Sequence, residues 1–231
     1  MDKFNFYSLE EAGKGQGVVV VVDVLRAFTT AAFAFKRGAS RILPVSTVDE
    51  ALTLRQEIPG ALVMGEVNGF KPETFDHNNS PGALRDANLA GRTLIQRTSA
   101  GTQGLVRAVH ADELFAASFV VARATAQSLS DGKFDPISFV ITGISEGRDG
   151  DEDLACAEYI QALVQGKDPD PESYLARVAT STVGREFSRG SLGYLLQEDF
   201  RLSVQANHFN FSMPVKRING RLVMMPEPFR A

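Results

Sequence analysis

Asp23 closes the most apolar run of the chain, five consecutive valines at positions 18 to 22, and Arg26 follows three residues later where a helical pattern begins. A carboxylate and a guanidinium so placed stand together at the carboxyl end of a buried strand, the edge where open α/β sheets bind ligands. The carboxylate could hold a hard divalent cation, and the guanidinium could grip a phosphate through paired N–H bonds. The same spacing also fits a plain helix cap with Arg26 on the surface.

Three more stretches have this character. Gly65-Glu66-Val67-Asn68-Gly69 opens a loop that continues to Phe75-Asp76-His77-Asn78-Asn79-Ser80-Pro81. At about fifteen residues it is long for a mere connection, although its polar side chains could simply satisfy local backbone. Arg97 to Gly104 puts Thr98, Ser99, Gly101 and Thr102 at a predicted helix start, where backbone N–H groups and hydroxyls together suit an anion. Capping by Thr98 or Ser99 with no ligand is the alternative. Neither the Walker pattern nor the Gly-x-Gly-x-x-Gly fingerprint is present, which argues against nucleotide binding. The fourth stretch, Gly143 to Asp153, carries five carboxylates within eight residues: Glu146, Asp149, Asp151, Glu152 and Asp153. Such oxygen donors suit a hard divalent cation, although taken alone the stretch reads as a solvated face. Each signal is weak alone, but each follows a predicted strand, so all four are expected on one sheet edge.

The elements that must position them are short apolar runs alternating with helical patterns, the signature of βαβ units. Strands are predicted at Val18–Val22, Ile42–Val45, Ala61–Met64, Thr93–Gln96, Glu113–Ala116 and Ile137–Ile141, with helices at Arg26–Lys36, Val48–Ile58, Gly101–His110, Phe119–Leu129 and Glu152–Val164. The pentavaline should be central and covered on both faces. The expectation is an α/β fold: a mostly parallel sheet flanked by helices over residues 1–166, then a C-terminal helical layer and closing β-hairpin over 167–231. The hairpin is signalled by Asn219-Gly220 between two apolar runs.

Composition narrows the partners. With 231 residues, 44% apolar and 23% charged, the chain can bury an adequate core. A net charge of −4 with scattered Lys and Arg offers no footprint for nucleic acid. Asp23 and Arg26 interrupt the most apolar segment, so neither a membrane span nor a signal peptide is expected. The single cysteine, Cys156, excludes an internal disulfide and fits a reducing compartment, here the cytoplasm. A polyanionic partner is not expected. The oligomeric state stays open, a homo-oligomer included.

At the level of motifs the chain resembles the 2-phosphosulfolactate phosphatase family. Asp23 to Ala27 with the preceding valines looks like its Asp-Val-Leu-Arg-Ala, Gly65-Glu66 its Gly-Glu-Arg, and Phe75 to Pro81 its Phe-Asp-x-Gly-Asn-Ser-Pro. Thr98 to Thr102 looks like Thr-Thr-Asn-Gly-Thr, and Glu152-Asp153 with Cys156-Ala157 like Glu-Asp-x-x-Cys-Ala-Gly. The motifs keep the family's order and span about 140 of the 231 residues. Val67, Asn78, Ala100 and Glu158 depart from them. The resemblance implies a Mg²⁺-dependent phosphatase with an α/β fold acting on 2-phosphosulfolactate. On that reading Asp23 and Arg26 are catalytic, and Mg²⁺ is held by acids drawn from Asp23, Glu66, Asp76, Glu152 and Asp153. Asn79, Ser80, Thr98, Ser99, Gly101 and Thr102 would then bind substrate. Two other classes stay open: a non-catalytic binding protein for a small phosphorylated acid, and a dinucleotide-dependent oxidoreductase, which the missing glycine fingerprint disfavours.

Overall fold

A computed structural model describes residues 3–131, 134–145, 148–189 and 197–228; Glu146, one of the five clustered acids, lies outside the described residues. Up to the fourth site stretch, strands and helices alternate: β1 (Phe4–Ser8), β2 (Val18–Val22), α1 (Ala27–Lys36), β3 (Arg41–Val45), α2 (Val48–Glu57), β4 (Leu62–Gly65), β5 (His77–Asn78), β6 (Thr93–Arg97), α3 (Gly101–Arg107), β7 (Glu113–Ala117), α4 (Ala122–Asp131) and β8 (Ile137–Ile141). A small ribbon, β9 (Ile144–Ser145) and β10 (Arg148–Asp149), leads into α5 (Asp151–Val164). Helices α6 (Glu172–Thr180), α7 (Thr182–Arg189) and α8 (Gln197–Ser203) follow, then β11 (Phe211–Ile218), β12 (Arg221–Met224) and β13 (Glu227–Pro228).

The main sheet runs β1-β8-β2-β7-β11-β12-β3-β6-β4-β5. It is two parallel half-sheets joined by an antiparallel hairpin: β11 pairs with β7, and β12 with β3. The expected mostly parallel α/β architecture is therefore present, and the C-terminal hairpin sits in the middle of the sheet. Its turn is formed as the sequence suggests, with Asn219 at φ 50° and Gly220 at φ 77°, the left-handed pair a tight hairpin turn requires.

The pentavaline explains the layering. Each of Val18 to Val22 is at most 1% exposed, and the strand is parallel to both β7 and β8. Because side chains alternate across a strand, Val19 and Val21 enter one core and Val18, Val20 and Val22 another. Burying each valine contributes roughly 1.5–3 kcal/mol of transfer free energy. The first core holds α1 residues together with Ile42, Met64 and Leu94 from the far half-sheet. The second holds Phe139 beside Tyr159 and Ile160 of α5.

The sheet also curls. Strands β2 and β6 are five inter-strand steps apart in the sheet order, roughly 24 Å along a flat sheet. Yet Gln96 on β6 donates from Nε2 to the Ala27 carbonyl at 2.9 Å, and a Cβ on Gly104 of α3 would lie 2.6 Å from Val21 Cγ1 on β2. The sheet wraps around α1 and α3, which brings the carboxyl ends of both half-sheets together.

Gly65, at the end of β4, has φ 139°, and a Cβ there would lie 1.8 Å from the Arg97 carbonyl oxygen. Gly65→Ala should cost at least about 2–3 kcal/mol. Urea unfolding would show this as a lowered midpoint at constant m-value; a change within about 0.5 kcal/mol would refute the close approach.

Candidate functional site

Asp23 is 6% exposed. Its Oδ1 accepts from the Ala27 N–H at 2.8 Å, so it does cap α1. Its Oδ2 lies at the start of α3, 2.8 Å from the point a Cβ on Gly101 would occupy, and the Gly101 N–H points to the carboxylate. Only a residue without a side chain lets the two approach. Burial, followed at some distance by the Glu66 charge, pushes the Asp23 carboxyl up to about 6. The Ala27 hydrogen bond, with the nearby Thr142 hydroxyl and Gly101 N–H, pulls the other way and only partly offsets it.

Glu66, also 6% exposed, organises the opposite wall. Its Oε1 accepts from the Ser99 N–H at 2.5 Å, and its Oε2 from the Gly69 N–H at 2.6 Å and the Ser99 hydroxyl at 3.1 Å. The 66–69 turn is thereby fixed to the segment after β6.

Between these walls lies a cavity of about 340 Å³, lined in part by Asp23, Arg26, Glu66, Asn79 and Ser99. Asn79 is 5% exposed, and its Oδ1 has no hydrogen-bond partner. The Arg26 guanidinium is held by a residue that sequence reasoning missed: its Nη1 donates to Asp199 Oδ2 at 2.7 Å, with both side chains at most 4% exposed. Phe187 of α7 stacks on it, with the ring centroid 5.8 Å from Arg26 Cζ. Asp199 Oδ1 in turn accepts from the Ser80 hydroxyl at 2.7 Å and the Gly82 N–H at 3.0 Å. Nothing local in the sequence marks Asp199, which is 173 residues from Arg26. Arg148 and Thr142 also line the cavity and were likewise not singled out for a role.

Glu152 and Asp153, in the first turn of α5, are each 2% exposed. Asp153 ties two strand ends together: Oδ1 accepts from the Val24 N–H at 2.7 Å, and Oδ2 from the Gly143 N–H at 2.8 Å. Burial, then the charges of Glu152 and Asp23, raise the Asp153 carboxyl well above the usual range. Burial is also the main reason Glu152 is raised, and its Oε2 has no hydrogen-bond partner. Cys156 is buried, and burial followed by the Asp153 charge pushes its thiol well up, so it is not poised as a nucleophile.

Several expected ligands are placed differently. Thr98 and Thr102 are buried and cap each other: the Thr98 N–H donates to Thr102 Oγ1 at 2.9 Å and the Thr102 N–H to Thr98 Oγ1 at 3.0 Å. Neither lines the cavity, and the anion at the start of α3 is the chain's own Asp23 carboxylate. Gly101 therefore serves Asp23. The Ser99 hydroxyl, though in the cavity wall, bonds Glu66 and accepts from the Asn68 N–H at 2.9 Å. Ser80, fully buried, holds Asp199. Asp76 is not brought to the cavity. Its Oδ2 accepts from the Val63 N–H at 2.8 Å, and its Oδ1 pairs with Arg55 at 3.3 Å.

The five acids consequently do not form a cage: among the described residues, no three His, Cys, Asp or Glu side chains converge as a metal site. Magnesium needs less, because it commonly keeps its waters and takes one or two carboxylates plus phosphate oxygens. Asp23 and Glu66 both line the cavity, and none of the ion pairs among the described residues neutralises either. Glu152 and Asp153 do not line the cavity, although Glu152 Oε2 has no hydrogen-bond partner. The donor set of Asp23 and Glu66 fits a magnesium ion held by few protein ligands.

An α/β protein with a mixed acid and guanidinium cavity at the curled carboxyl edge of its sheet is the class that fold and site define. A family profile described as 2-phosphosulpholactate phosphatase matches residues 6–209, and the chain belongs to that family. It is 36% identical over 169 residues to a probable 2-phosphosulfolactate phosphatase of Bacillus subtilis, covering 73% of each chain. It is 40% identical over 159 residues to one from Carboxydothermus hydrogenoformans, covering 69% of this chain and 65% of that one. A Thermoplasma acidophilum protein of the same description is 27% identical over 208 residues, 90% of this chain and 89% of its own length.

Two outcomes are expected from this geometry. In metal-free buffer, ionising Asp23 opposes folding: its carboxyl is raised from an ordinary 3.8 to about 6, so stability is lost as pH rises through that window. The stability of Asp23→Asn relative to the unaltered protein should improve by about 2 kcal/mol between about pH 4 and pH 7, read by urea unfolding across pH. A difference flat in pH would contradict the burial argument. Asp199→Ala leaves the Arg26 charge buried and should cost about 3–5 kcal/mol in the same assay. A cost under about 1 kcal/mol would show that the pair does not hold the guanidinium in place.

Proposed function

We propose that the protein is a Mg²⁺-dependent phosphoric monoester hydrolase that converts 2-phosphosulfolactate to sulfolactate and inorganic phosphate. Family membership supports the reaction class, and the relatives' descriptions name the substrate. The observation that carries the reading is the buried Asp23 carboxylate in the cavity, pushed to about 6, facing Glu66 and lacking an ion-pair partner among the described residues.

In this reading Asp23 and Glu66 would hold the Mg²⁺, which when bound supplies positive charge to the phosphoryl oxygens and a more acidic water. Arg26, fixed by Asp199 and Phe187, presents its guanidinium to the phosphate. Burial raises the Asp23 carboxyl in the metal-free protein, and a bound cation would offset that cost and hold Asp23 ionised at neutral pH. Val183 and Phe187 of α7 form an apolar side of the cavity that limits bulk water. Asn79 offers an amide at the same wall. No described helix is long and apolar enough to cross a membrane, and with Cys156 unpaired we place the reaction in the cytoplasm, on a small-molecule acid and without nucleic acid.

The test is released phosphate from a panel of phosphate monoesters. Hydrolysis of 2-phosphosulfolactate should vanish in excess chelator and return with Mg²⁺, and Asp23→Asn should lower kcat by at least about 10²-fold. Full activity after verified metal removal would end the metal role. Tight binding of the phosphorylated acid with no phosphate released would make the protein a non-catalytic binder.

A further inference from the structure

The cavity is lined by two cations, and they are not equivalent. Arg26 is buried and already pairs with Asp199 at 2.7 Å. Arg148, on β10, is exposed, and its side chain makes no hydrogen bond or ion pair with any described residue. The facing turn, Glu66-Val67-Asn68-Gly69, brings no cation, and Lys71 just beyond it points away to the Phe75 carbonyl at 2.7 Å. Asp23, Glu66 and Glu186 supply the negative charge of the lining. A substrate with several anionic groups therefore meets a site whose one uncompensated guanidinium, among the described residues, stands at the solvent end.

The placement of Arg148 is built into the fold. Its neighbour Asp149 accepts from the Thr182 N–H at 3.1 Å, at the start of α7, and lies 3.9 Å from Arg185 Nη2. Strand β10 is thus docked on the helix that gives Val183, Glu186 and Phe187 to the same wall. The backbone is held while the guanidinium is left to solvent, as suits a group that must reach a ligand.

We infer that Arg148 is a specificity-determining residue that binds the second strong acid of the substrate, the sulfonate, while the phosphate lies deeper against Arg26. This rests on the phosphatase reading above. In 2-phosphosulfolactate the sulfonate sits one carbon beyond the carbon bearing the phosphoester, so the phosphate can lie deep while the sulfonate faces outward. A planar guanidinium suits such an oxyanion bidentately.

The experiment compares two esters, 2-phosphosulfolactate and 2-phospholactate, which lacks only the sulfonate, for the unaltered protein, Arg148→Gln and Arg148→Lys with Mg²⁺ present. Arg148→Gln should raise KM for the sulfonated ester about 10- to 100-fold, as expected for losing a charged hydrogen bond, with kcat within a few-fold. KM for 2-phospholactate should stay within about twofold, and Arg148→Lys should recover part of the loss. An unchanged KM for the sulfonated ester, or an equal rise for both esters, overturns the assignment while leaving the phosphatase reading intact. If the unaltered protein releases phosphate from neither ester, the phosphatase reading falls and takes this assignment with it.

Discussion

The contact between the Asp23 carboxylate and the start of α3 is the constraint on which the site depends. It requires a residue with no Cβ at Gly101, because any side chain there would sit 2.8 Å from Asp23 Oδ2 and 2.7 Å from Ala27 Cβ. It also requires the sheet to curl, since Asp23 follows a strand of one half-sheet and Gly101 a strand of the other. Once the two are joined, Glu66 and Ser99 on the far half and Thr142 and Asp153 on the near half are carried to the same place. The cost is a carboxylate kept from water, only partly offset by the Ala27 N–H and by the neighbouring Thr142 and Gly101 dipoles.

Around that contact the chain uses neutral donors to build walls and leaves charge for function. Backbone N–H groups of Ser99, Gly69, Val24 and Gly143 hold Glu66 and Asp153. The ion pair lies on the opposite side, where Asp199 and Phe187 set the angle of Arg26 from helices that come late in the chain. A buried charge pair of this kind adds little net stability compared with apolar packing, but removing either member is costly, so it fixes position more than it strengthens the fold.

What could be read from the sequence was whatever has a short period. The valine run, the helices after it and the Asn219-Gly220 turn are local patterns, and the structure has them within a few residues. The convergence of Asp23, Glu66, Asn79 and Ser99 was also legible, because each follows a strand and parallel strands share one carboxyl edge. Direction of side chains was not. Thr98 and Thr102 look in sequence like hydroxyls available to a ligand, and only packing shows that each accepts the other's backbone N–H. Asp76 looked like one more acid in a polar loop, but β4, beyond the reach of the two-residue edge strand β5, needed it for the Val63 N–H. Asp199 had no pattern at all, since its meaning comes from a partner 173 residues away. The central position of the hairpin was equally hidden, because a turn signal says that two strands pair and nothing about what lies on either side.

That hairpin has a consequence for how the molecule is made. Strands β11 and β12 leave the ribosome after every strand of the two half-sheets they join, so until then β7 and β3 are bare sheet edges that tend to pair with other chains. The half-sheets can gather locally during synthesis, but the cavity between them cannot close until β11 and β12 zip in, a step dominated by contacts distant in sequence and therefore slow. Nascent chains of this protein are expected to spend that interval aggregation-prone and dependent on chaperones, with function arriving only after translation has passed Met224.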